Sequence, residues 1–63
     1  MEISQIKALI AAEEFIQRAL DDAYHRGRMS YLHFSPAWDA TAARAAALTF
    51  MLEQENSKAE ADG

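Results

Sequence analysis

The chain has 63 residues, a formal net charge of −4 and no cysteine. That length allows one domain with a marginal core, because a chain near 60 residues buries only about 60% of the surface its unfolded form exposes. The missing cysteines exclude disulfides and thiolate metal sites. A pI near 4.9 argues against general nucleic-acid or anionic-membrane binding, which needs a basic face.

The first predicted element is a helix over about residues 3–26. Ser4, or a residue just before it, can open it, and Gly27 can close it as a C-terminal cap. At about 100° per residue, Ile3, Ile6, Leu9, Ile10, Ile16, Leu20, Ala23 and Tyr24 fall on one face. Lys7, Glu14, Arg18, Asp22 and His25 fall on the other, so the helix is amphipathic. Two residues depart from the pattern. Glu13 lies inside the apolar arc, where it can sit at the rim, pair with an arginine such as Arg44 or the same residue of a second copy, or serve a site as a carboxylate whose pKa burial raises. Phe15 lies beyond the arc beside Ala8, Ala12 and Ala19, so the apolar surface is wider than one partner helix requires.

Residues 24–38, YHRGRMSYLHFSPAW, form the most unusual stretch. They hold four of the six aromatics, both histidines and two arginines, with no acid. Their charge is +2, against −3 for each flank. Within them, residues 27–35 are expected to connect two helices. Met29, Tyr31, Leu32 and Phe34 can fold back as a plug, with Phe34 as a hydrophobic staple on the next helix. The same stretch is rich in the residue types that dominate binding hot spots. Tyr24, Arg26, Arg28, Tyr31, His33 and Trp38 are therefore the candidate partner- or ligand-binding residues.

The second predicted helix covers about residues 36–55, with Ser35 as N-cap and Pro36 at its first position. An alanine-rich block of strong helix formers follows. Trp38, Thr41, Ala45, Leu48 and Leu52 form one stripe; Ala43, Ala46, Ala47 and Phe50 form a second, roughly opposite. One neighbouring helix cannot cover both. Phe15, Ala43, Ala46, Ala47 and Phe50 are accordingly the expected oligomer interface. Residues 56–63 contain no large apolar side chain and read as a flexible tail.

The expected fold is all-α: one domain over residues 1–55, a two-helix hairpin with a structured aromatic connector, assembled as a dimeric four-helix bundle. A small chain without disulfides or metal gains stability by association. The 51% hydrophobic content fits a folded chain rather than a disordered one. No apolar run approaches the roughly 18 residues needed to span a membrane. Residues 1–24 lack the charge-then-apolar order of a signal peptide, so a cytoplasmic protein is expected.

The expected function is non-enzymatic: binding and modulating another protein, as an inhibitor or adaptor that acts by occlusion. The alternative is sequestration of an anionic small molecule such as a nucleotide. Arg26, Arg28 and His33 would supply charge, and the free N–H groups near Ser35, Ala37 and Trp38 would cradle the anion. Neither cofactor nor metal is expected. Ser30, Ser35, His25, His33 and Asp39 lack the rigid enclosure that triad chemistry requires.

Overall fold

The computed structural model describes residues 1–62, with side chains through residue 60. Two helices, α1 (Ile3–His25) and α2 (Tyr31–Asp62), pack as a hairpin. Among the described residues there is no strand.

Local chemistry explains both ends of α1. At its start the Glu2 amide donates to Gln5 Oε1 at 3.1 Å, one half of a capping box. At its end Gly27 adopts φ +73°, a left-handed conformation that glycine takes without steric cost. The turn lets the Gly27 amide donate to the Tyr24 carbonyl at 3.1 Å and the Arg28 amide to the Ala23 carbonyl at 2.9 Å. These two bonds are the Schellman pair that closes a helix on its own last carbonyls.

The second helix begins earlier and ends later than the sequence signals suggested. It starts at Tyr31, so Ser35 is no cap and Pro36 lies inside the helix. The Ser30 carbonyl accepts the first amides, from His33 at 3.1 Å and Phe34 at 2.9 Å. Pro36 has no N–H to return to the Leu32 carbonyl. Leu32 is 83% exposed, so water can take the place of that bond. What favours the earlier start is packing: as a helical residue, Phe34 stacks on Tyr24 with ring centroids 4.5 Å apart. It is therefore a seam residue rather than a staple outside the helix. At the far end, the tail expected over 56–63 continues as helix through Asp62; Gly63 lies outside the described residues.

The helices meet along a seam with the alternating three- and four-residue spacing of a coiled coil. On α1 the seam residues are Ile3, Ile6, Ile10, Glu13, Gln17, Leu20 and Tyr24, each buried or half-buried. On α2 they are Phe34, Trp38, Thr41, Ala45, Leu48 and Leu52, again all buried or half-buried. This corrects the face expected for α1: Leu9 and Ile16 flank the seam and are exposed, while Glu13 and Gln17 occupy it. The middle of the seam is thus polar or small. Among the described residues only Ile6 and Thr41 are fully buried. Thr41 is accommodated because its hydroxyl donates to the Trp38 carbonyl at 2.8 Å, leaving no unpaired donor.

The register is set by Glu13 opposite Arg44 and Tyr24 opposite Phe34. With 23 residues against 32, α2 outruns the N-terminus of α1 by about two turns at 1.5 Å per residue. The molecule is a rod of 50 × 15 × 14 Å with a radius of gyration of 14.9 Å, where a compact chain of this length has about 10.6 Å. Its accessible surface is 4707 Å², above the roughly 4000 Å² typical of a 7 kDa folded monomer.

Candidate functional site: an aromatic tip and a two-sided hairpin

The connector end is built around Tyr24. Its ring stacks on Phe34, meets His25 edge-on at 5.6 Å and lies 6.2 Å from Tyr31. Phe34 in turn lies 5.5 Å from Trp38. Close aromatic pairs of this kind stabilise by about 0.5–1.5 kcal/mol beyond area burial. They close the open end of the hairpin. Tyr31, 64% exposed, and Leu32 stand outside this stack in solvent.

The six candidate residues do not form one patch. Tyr31 and His33 are two positions apart and so point to opposite sides of α2. His33 Nδ1 lies 2.9 Å from Ser30 Oγ, a contact at the helix start. Trp38 is half-buried and opens onto a groove of about 310 Å³ that Glu14, Gln17, Arg18 and Asp21 complete. Arg26 donates through Nε to Asp22 Oδ1 at 2.8 Å, so its charge is already paired. Tyr24 lies beneath Tyr31, and Arg28 is exposed on the connector. The amides near Ser35, Ala37 and Trp38, expected to hold an anion, belong to the body of α2 rather than to its N-terminus.

His25 Nδ1 contacts the Asp21 carbonyl at 2.8 Å and the Asp21 carboxylate at 3.2 Å. Ser30 and His33 are adjacent, but among the described residues no carboxylate pairs with His33. No group of three or more His, Asp or Glu among the described residues is placed to hold a metal ion. No described helix is long and apolar enough to cross a membrane.

The two broad sides of the hairpin differ in chemistry. One presents Lys7, Glu14, Arg18 and Asp21 from α1, with Thr49 and Glu53 from α2. The other presents Leu9, Ala12 and Ile16 from α1, with Ala40, Ala47 and Met51 from α2, all exposed. In an antiparallel pair, residues displaced from the seam in the same rotational sense share one side. Leu9, Ile16 and Met51 are displaced by about 70–100° in that sense, and Ala40 by about 120–130°. The apolar side carries one charged pair near its middle: Arg44 Nε donates to Glu13 Oε1 at 2.8 Å. That bond is the main cause holding the Arg44 guanidinium above its usual pKa.

The expected interface residues are distributed differently again. Phe15, 72% exposed, and Phe50 lie on the two outer edges, each facing away from the seam. Ala47 belongs to the apolar side, Ala46 to the polar side, and Ala43 lies between the apolar side and the Phe50 edge. No single flat contact can include all five. Leu9, Ile16 and Met51, exposed on the apolar side, are not among the residues expected at an interface. For Leu9 and Ile16 the signal is the apolar arc of α1, too wide for one partner helix; Met51 gives none.

No family model, curated protein or solved structure matches the chain.

Proposed function

We propose that the protein is a non-enzymatic interaction module that works as a homo-oligomer and modulates another protein bound at its aromatic tip. The observation that carries this reading is the mismatch between apolar content and core. Half of the chain is hydrophobic, yet among the described residues Ile6 is the single apolar side chain fully buried. Apolar surface on that scale is stable in water when a partner covers it. The tip supplies a second contact region, in which Tyr31 and Leu32 are exposed three and four positions after the exposed Arg28. An exposed tyrosine at the edge of an aromatic stack is a side-chain type that can anchor a partner. Binding there would act by occlusion, as an inhibitor or adaptor does.

Solution mass by light scattering across a wide concentration range tests the first half. A mass near twice 7.0 kDa is expected, and a monomer at every concentration refutes it. For the second half, Tyr31→Ala and Leu32→Ser should abolish capture of the cellular partner while helicity is kept. Undiminished capture by both folded variants would remove the tip from the interface.

A further inference from the structure

We infer that the apolar side of the hairpin is the seat of a second copy, related by a two-fold axis running parallel to the helices. This rests on the homo-oligomer reading above and adds the face, the symmetry and the contacts. Three observations on that side point the same way. The first is a hollow of about 350 Å³ lined by Met1, Gln5, Ala8 and Leu9, at the border between this side and the Phe15 edge. The second is Met51, an exposed thioether side chain on the other helix. The third is the register set by Glu13 and Arg44, which puts Met51 at the height of Ile6 and therefore level with the hollow.

A two-fold axis along the helices lays α2 of one copy over α1 of the other and preserves height. Met51 of the second copy then falls over the Met1–Gln5–Ala8–Leu9 hollow. Leu9 stands against Ala47 of the second copy, and Ile16 against Ala40 of the second copy. Every contact sets a large side chain on a small one, the interdigitation that close packing requires. All neighbouring helices run antiparallel, as in up-down bundles. A two-fold axis across the helices instead turns one copy end for end. Crossing at the middle of the apolar row, near Ala12, it sets Leu9 against Ile16 of the second copy, large on large, and leaves the hollow facing the connector half, away from Met51.

Charge fits the same arrangement. Arg44 donates one N–H to Glu13, and Glu13 Oε2 accepts no hydrogen bond among the described residues. With height preserved, Arg44 of the second copy comes level with Glu13, so positive and negative groups alternate around the axis. The area is adequate: a broad side is roughly a quarter of the surface, above the about 800 Å² per partner that a standard interface buries. Both connector tips then lie at one end of the assembly, which presents two Tyr31–Leu32 surfaces side by side.

Because the chain has no cysteine, single cysteines report the symmetry. Full-length Ile16→Cys is mixed with a size-tagged Ala40→Cys chain and oxidised, and Leu9→Cys is mixed with tagged Ile16→Cys in parallel. The proposal expects a mixed disulfide in the first pair and none in the second. A dimer that cross-links only in the second pair overturns the symmetry but leaves the homo-oligomer reading standing. A dimer that cross-links in neither pair overturns the symmetry, and unchanged association of Met51→Ala then overturns the face as well. A chain that stays monomeric by light scattering overturns both readings. As a second readout, Met51→Ala should weaken association at least about tenfold, whereas Ala46→Ser on the opposite side should leave it unchanged. Equal effects from the two would refute the assigned face.

Discussion

The Glu13 carboxylate and the Arg44 guanidinium, 31 positions apart in the chain, meet at 2.8 Å across the two helices. Glu13 occupies a seam position with its side chain 14% exposed, whereas Arg44 reaches in from the flank and is 54% exposed. The asymmetry matters. A carboxylate withdrawn from water depends on its partner, while an exposed guanidinium does not. Arg44→Ala should therefore lower the melting temperature, because it leaves Glu13 unpaired. Glu13→Leu should hold or raise it by restoring an apolar seam residue. Joining Glu13→Leu to Arg44→Ala should recover most of the loss. Thermal unfolding by circular dichroism of the full cycle checks this, and additive effects would refute the coupling.

Phe34 is the residue whose packing on Tyr24 accompanies the early start of α2. Phe34→Ala should cost about 2–4 kcal/mol, somewhat below the figure for a fully buried phenylalanine. Urea denaturation of the two proteins side by side reads the difference. A loss below about 1 kcal/mol would mean that the stack contributes little to holding the connector end together.

Gly27 turns the chain at φ +73°, and a Cβ placed there would meet nothing within 4 Å. The cost of a side chain is thus purely conformational. Gly27→Ala should destabilise by about 1 kcal/mol or slightly more, and Gly27→Asn by less, since asparagine tolerates the left-handed region. Equal stability of all three proteins would argue against the Schellman closure of α1.

Pro36 interrupts the hydrogen-bond ladder of α2 opposite the exposed Leu32 carbonyl. Pro36→Ala restores a donor at a helical position and should stabilise by about 1–3 kcal/mol. A fall in melting temperature would indicate that the proline is needed for the connector geometry.

Much of the hairpin was legible in the residues themselves. The apolar period of 3.6, the helix formers of both segments and the glycine at position 27 determine two helices and the turn between them, because they act over a few neighbouring residues. Arg44 was also legible as one candidate partner for Glu13, since a charge in an apolar arc is stabilised by a counter-charge; that the two meet, rather than Glu13 lying at the rim, is decided by the register. Other features belong to the tertiary structure. Ser35 and Pro36 form a sound local start signal, yet α2 begins at Ser30–Tyr31, where the Tyr24–Phe34 stack outweighs a lost hydrogen bond. Hydrophobic periodicity alone placed Leu9 and Ile16 in the seam, because it cannot see that Glu13 and Gln17 take those positions when Glu13 faces Arg44. The division of the surface into one charged and one apolar side also depends on the register and antiparallel sense of the two helices. Neither is written in either helix alone, because each is set by which side chains of one find room against the other.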